Sequence, residues 1–223
     1  MKIKNKILLF LSVIVLFLGF SSVTYAYGYF DVKQQQSPVN LTTGIWDNPF
    51  VDVTYFTGFE AYTNTNTSFV GQFTIDGIVW NTKGVVRGNT VNDHKFDTQS
   101  VRFSKQVTLS YIDSASAFVG LKSVSFYMGK TIDSPATGKI YNISIKDATS
   151  NWYVISTGAM PAIFTYFQFD IEAMITSGIT LSNNVVVTSS TPLFIRVDFD
   201  GRAGGSTTRQ DMNLDDLTIV YHP

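Results

Sequence analysis

The chain has 223 residues, 16 basic and 17 acidic, with 18 Phe, 11 Tyr and no Cys. The absence of cysteine excludes disulfides, thiolate metal sites and a lipid-modified N-terminal cysteine. Its slight acidity argues against a nucleic-acid binder, which needs clustered basic charge to meet phosphates.

Lys2, Lys4 and Lys6 precede an apolar run over residues 7–20, and Thr24 and Ala26 are the small residues that a signal peptidase selects. The pattern predicts export with cleavage after Ala26, the run being short for a membrane span. No later segment has the roughly 20 consecutive apolar residues of a bilayer-crossing helix, so no membrane span is expected in the mature chain. Removal of 1–26 takes three lysines and no acid; 16 basic residues less those three, against 17 acidic, give a formal charge of −4. Residues 27–50, with Gln34-Gln-Gln-Ser-Pro38 and Asp47-Asn-Pro49, are polar and turn-rich and read as a flexible lead-in or edge segment.

From residue 51 to the end, short alternating runs are broken by turn residues every ten or so positions, the pattern of a sandwich or barrel. Branched and aromatic side chains favour strands over helices. The predicted strands cover 53–60, 69–75 leading to 79–80, 84–87, 99–103, 107–111, 121–128, 138–146, 152–156, 164–171, 185–188, 193–200 and 217–221, with one short helix at 171–176. In 139–146 Tyr141, Ile143 and Ile145 share one face while Asn142, Ser144 and Lys146 share the other, as a half-buried strand requires.

Catalytic motifs are absent. The two histidines, His94 and His222, stand in no Gly-x-Ser-x-Gly or zinc-binding context. Glu60 and Glu172 are the only glutamates, and a pair of acids flanking a sugar is the minimum for glycoside hydrolysis. Flat aromatic rings can instead stack on sugars, and Trp80, Tyr127, Tyr141, Trp152 and Tyr153 are the candidates for a ligand contact. The C-terminal acids, in Arg196-Val-Asp-Phe-Asp-Gly201 and Arg209-Gln-Asp-Met-Asn-Leu-Asp-Asp-Leu217, suit calcium chemically but match no EF-hand spacing; the alternative is that they cap turns and pair with Arg196, Arg202 and Arg209.

Gly58-Phe-Glu60, Ile75-Asp-Gly-Ile-Val-Trp80, Ser100-Val-Arg-Phe103, Asn151-Trp152, Phe194-Ile-Arg-Val-Asp198 and Asn213-Leu-Asp-Asp-Leu-Thr-Ile219 follow one another in an order that resembles the jelly-roll accessory domains of secreted bacterial proteins, the galactose-binding-like and MAM-like carbohydrate-binding modules. The resemblance spans about 54–221. It implies an all-β, two-sheet antiparallel sandwich of jelly-roll type preceded by a cleaved signal helix. It also implies a structural calcium between the opening and closing strands, placing Glu60 with Asp215 or Asp216. The expected function is a secreted, non-catalytic module that binds a carbohydrate, as a polysaccharide or cell-surface glycan, or another extracellular surface component. The alternatives are a structural or protein-interaction surface protein and a small secreted hydrolase.

Overall fold

The computed structural model describes residues 51–134, 139–202 and 209–223. The expected signal segment 1–26 and lead-in 27–50 lie outside the described residues.

In chain order the strands are β1 (Val53–Thr57), β2 (Val70–Ile75), β3 (Ile78–Lys83), β4 (Val85–Gly88), β5 (Ser100–Phe103), β6 (Ser110–Ser114), β7 (Leu121–Lys130), β8 (Ile140–Lys146), β9 (Tyr153–Ala159), β10 (Thr165–Asp170), β11 (Phe194–Phe199) and β12 (Met212–Tyr221); the helix α1 (Ile171–Thr176) follows β10. They form two six-stranded sheets, one ordered β10-β7-β12-β5-β4 with β1 also on β12, the other β2-β3-β6-β11-β8-β9. Every strand pairing is antiparallel. The chain passes from one sheet to the other at most of its connections, giving the all-β sandwich of jelly-roll type expected from the sequence.

The core is the apolar layer between the sheets. Phe103, Phe126, Met128, Leu214 and Ile219 come from the first sheet, and Ile75, Trp80, Ile112, Ile143, Ile145 and Phe199 from the second. All are essentially without solvent contact. Burial of a Leu-, Ile- or Phe-sized side chain stabilises by about 1.5–3 kcal/mol. With no cysteine in the chain, this layer replaces disulfides as the source of stability.

Three local features shape the sheets. Asp76 and Gly77 both have positive φ, 47° and 86°, and close the β2–β3 hairpin as a two-residue turn that matches the strand twist. In β12 the register against β7 slips between Asp215 and Thr218, with Asp216 at φ 51°. This bulge divides the strand, so β5 pairs with 212–214 and β1 pairs with 217–221 along the same edge. The helix α1 forms where predicted, with the Asp170 side chain accepting from the Ala173 N–H at 2.9 Å.

The strand predictions need three corrections. Residues 107–109 are not strand, because Leu109 has φ 52° and breaks the extended chain before β6. Residues 185–188 hold only an isolated bridge between Val186 and Thr180, and Val186 is left exposed. Finally, β12 begins at Met212 rather than 217.

The last correction has a polar cause. Asn213 and Asp215 alternate with the inward Met212 and Leu214, yet both are buried, at 0% and 1% exposure, because the 89–99 segment lies over them. Asn213 Oδ1 accepts from the His94 N–H (3.1 Å) and Asp215 Oδ2 from the Phe96 N–H (3.0 Å). Asp93 completes the anchor, accepting from Asn213 Nδ2 (3.1 Å), Thr90 Oγ1 (2.7 Å) and the Arg102 guanidinium (3.3 Å).

Burial works against the Asp93 charge, but the hydrogen bonds from Asn213 and Thr90 and the Arg102 cation outweigh it and hold the pKa below the ordinary 3.8. A depressed carboxylate contributes stability that is complete above its unfolded pKa and disappears as pH falls through the folded value. The expected outcome is a loss of about 3 kcal/mol for Asp93→Ala at pH 7, where Asn213 and Arg102 lose their partner. In Asp93→Asn the fall of Tm below about pH 4 should be shallower than in the parent. Urea melts at pH 7 and a series of thermal melts from pH 6 to pH 2 measure the two effects.

Candidate functional site

The strands that bury Trp80, Ile112, Ile143 and Ile195 point the intervening residues the other way, onto the outward face of the second sheet. Register places Gln72 of β2 opposite Asn81 of β3, Asn81 opposite Asp113 of β6, and Asp113 opposite Arg196 of β11. Their side chains join into a ladder across four strands. Gln72 Nε2 donates to Asn81 Oδ1 (2.9 Å), Asn81 Nδ2 to Asp113 Oδ1 (2.7 Å), and Arg196 Nε and Nη2 to Asp113 Oδ2 (3.1 and 2.7 Å).

Aromatic rings hold the charged end of the ladder. The Arg196 guanidinium carbon lies 4.0 Å from the Tyr111 ring centroid and 4.5 Å from that of Trp152. Lys146 Nζ lies 5.0 Å from the Trp152 centroid and 5.4 Å from that of Phe194. Such contacts fix a cation by attraction to the electron-rich ring face. Together Val70, Gly71, Gln72, Asn81, Thr82, Tyr111, Asp113, Lys146, Trp152 and Arg196 line an open cleft of about 330 Å³. The chemistry on offer is hydrogen bonding from fixed amides, a bound guanidinium and an ammonium, beside an indole wall.

The five aromatic candidates separate. Trp152 lines the cleft, and Tyr153 follows it at the start of the edge strand β9, 39% exposed. Trp80 and Tyr141 are corrected to core residues, 1% and 6% exposed. Trp80 turns inward beside Tyr55, its Nε1 donating to the Tyr55 hydroxyl at 3.4 Å, and Tyr141 shares the buried face of Ile143 and Ile145. Tyr127 belongs to the first sheet instead. It packs edge-on against Phe96 (4.5 Å between centroids) and against Tyr166 (5.1 Å), while His94 stacks on Phe164 (5.4 Å). Phe96, Ile163 and Tyr166 leave this aromatic face exposed. His94 therefore has a phenyl ring as its neighbour, and burial lowers its pKa.

Glu60, Asp215 and Asp216 come to the bulge of β12. Burial pushes the Asp215 pKa up to about 7, against the hydrogen bonds from the Phe96 and Asp216 N–H groups, and the charges of Asp216 and Glu60 add to the rise. The Glu60 carboxylate accepts from the N–H groups of Thr98 and Gln99 (both 3.2 Å) and from the Thr98 hydroxyl. Among the described residues, no three His, Asp or Glu side chains are gathered so that they could hold a metal ion. The Glu60 and Asp215 carboxylates are thus both engaged by main-chain N–H groups. Arg196 pairs with Asp113, and its charge also acts on Asp198.

No family model matches the chain, and no curated protein matches it. Solved structures similar to it include the K2 cleaved adhesin domain of Lys-gingipain, at 12% identity and TM-score 0.47 over 75% of this chain and 97% of that one. The CBM22-1 xylan-binding domain of Xyn10C from Paenibacillus barcinonensis is similar at 10% identity and TM-score 0.42, over 75% and 93%. A family 29 carbohydrate-binding module from Piromyces equi is similar at 10% identity and TM-score 0.37, over 76% and 91%.

Proposed function

We propose that the protein is a secreted, non-catalytic binding module whose second sheet takes a carbohydrate in the cleft beside Trp152. The observation that carries this reading is the Gln72–Asn81–Asp113–Arg196 ladder. It is a row of polar groups already fixed in place by one another, on a sheet face, next to an aromatic wall. Sugars are bound by such a combination because each hydroxyl both donates and accepts, and preset partners avoid the entropy of ordering side chains on binding. Trp152 serves as a wall more than as an open platform, since a guanidinium is held 4.5 Å from its ring centroid.

A second reading, protein contact through the first sheet, is favoured by the exposed ring cluster of Phe96, Tyr127, Phe164 and Tyr166 with Ile163 beside it. Exposed apolar patches of this kind mark interaction surfaces when they are contiguous. Calcium at the β12 bulge is a separate proposal, supported by like charge around Asp215 alone.

A glycan array with residues 27–223, followed by calorimetry on any hit, tests the main reading. Trp152→Ala and Asn81→Ala should each weaken retention at least tenfold and change stability by no more than about 1 kcal/mol, since both lie at the surface of the sheet. Trp80→Ala should cost about 3–5 kcal/mol, the usual loss for a truncated core aromatic. Full retention of a glycan by both cleft variants would remove the cleft from the reading. For calcium, Tm is compared in excess EDTA and in millimolar calcium. A rise that vanishes in the Asp215→Asn, Asp216→Asn double variant supports a site there, and identical melts exclude one.

A further inference from the structure

The cleft also carries information about the charge of what it binds. Arg196 and Asp113 form a close pair, 2.7 Å apart with side chains 16% and 7% exposed, and so neutralise each other. Lys146 has no such partner. Its ammonium makes no ion pair among the described residues and rests between the rings of Trp152 and Phe194, whose faces attract it without using its N–H groups as a carboxylate would. Asp147, next in the chain, turns its carboxylate to the N–H groups of Thr149 and Ser150 and to Asn183 Nδ2. Asp198, on the same outward face, accepts from Asn142 Nδ2 at 2.8 Å and is buried. Lys83 stands two residues along β3 from Asn81 on that face, opposite Tyr111, and also lacks an ion pair among the described residues. Around the cleft, then, Asp113, Asp147 and Asp198 are each engaged by a donor, and the Lys83 and Lys146 ammonium groups make no ion pair among the described residues, in a chain whose charge after residue 26 is −4.

We propose that the ligand is an acidic glycan whose carboxylate or sulfate is taken by Lys146 beside Trp152, while the neutral hydroxyls of the same or the next sugar meet the Gln72–Asn81–Asp113 ladder. The inference rests on the carbohydrate reading of the cleft. An anion placed against Lys146 would gain a charge-assisted hydrogen bond, about twice as strong as a neutral one. It would do so without displacing an existing partner. Arg196 is held back from this role by the two hydrogen bonds that it donates to Asp113 Oδ2 and stiffens the floor instead.

The test compares charged polymers with their charge-stripped counterparts. Polygalacturonate is set against its carboxyl-reduced form, and chondroitin sulfate against its desulfated, carboxyl-reduced form, by affinity electrophoresis and calorimetry at about 0.1 M and 1 M salt. Lys146→Met keeps an unbranched stem on the two rings and removes only the charge. The expected result is tighter binding to at least one charged polymer than to its stripped form, by about tenfold or more. That advantage should be lost in Lys146→Met and weakened at 1 M salt, where screening acts within about 3 Å. The arm that responds tells carboxylate from sulfate. Equal binding to charged and stripped polymers that is lost in Trp152→Ala overturns the charge inference and leaves the carbohydrate site standing. Charged-polymer binding that survives both Lys146→Met and Asn81→Ala is non-specific attraction and also overturns it. No binding to any polymer sinks the carbohydrate reading together with the inference.

Discussion

Side-chain alternation along the strands of the second sheet is the constraint on which both core and cleft depend. Strand β3 sends Trp80 and Thr82 inward and Asn81 outward; β6 buries Ile112 and β11 buries Ile195 and Val197, while Asp113 and Arg196 face out. A slip of one residue in any of these strands would carry a charge into the apolar layer and a core side chain into water. The core therefore selects the register, and the register aligns Gln72, Asn81, Asp113 and Arg196 in one row. The polar ladder has little to do with holding the sheets together, yet its geometry is set by the force that does.

The Asp113–Arg196 pair shows how that geometry becomes rigid. The pair is largely shielded from water, so the attraction between its charges is offset by the cost of taking both out of solvent. Here Asp113 is fixed a second time by Asn81, and the guanidinium is bracketed by Tyr111 and Trp152. Each added contact lowers the freedom that a ligand would otherwise have to freeze out. On this view the pair serves the order of the cleft more than the stability of the fold. Lys146 differs because its ammonium lies between two rings and makes no ion pair among the described residues, so its charge is placed but not consumed.

How much of this is legible in the sequence depends on which residues one asks about. The sandwich is, because alternation within a strand such as 139–146 is local, and the helix at 171–176 is, because its cap and its length are local too. The inward direction of Tyr141 was already written in its sharing a face with Ile143 and Ile145, so the sequence itself argued against a ligand role there. Trp80 offers no such signal, since the run Ile-Val-Trp-Asn-Thr-Lys has no clean apolar alternation. The Asp76-Gly77 pair is a local and readable hairpin signal that separates β2 from β3. The ladder was not legible, because its four members lie on four strands and meet only through pairings between residues up to 83 positions apart. Asp215 shows the same limit, since its place under the 89–99 segment, where it accepts from the Phe96 N–H, depends on a partner 119 positions away.

The two outward faces of the sandwich differ in a way that bears on what each can bind. On the first sheet the exposed residues are rings packed on rings, Phe96 on Tyr127 and Tyr127 on Tyr166, and their gain on binding would come from area removed from water, which is non-directional. On the second sheet the exposed groups are donors and acceptors at fixed positions, and their gain depends on matching a pattern of hydroxyls and charge. A small polar ligand offers too little apolar area for the first face and enough hydrogen bonds for the second. A broad protein surface offers the reverse. The same alternation that separates core from surface thus leaves one fold with two unlike surfaces, and the cleft beside Trp152 is the one whose chemistry fits a small polar ligand.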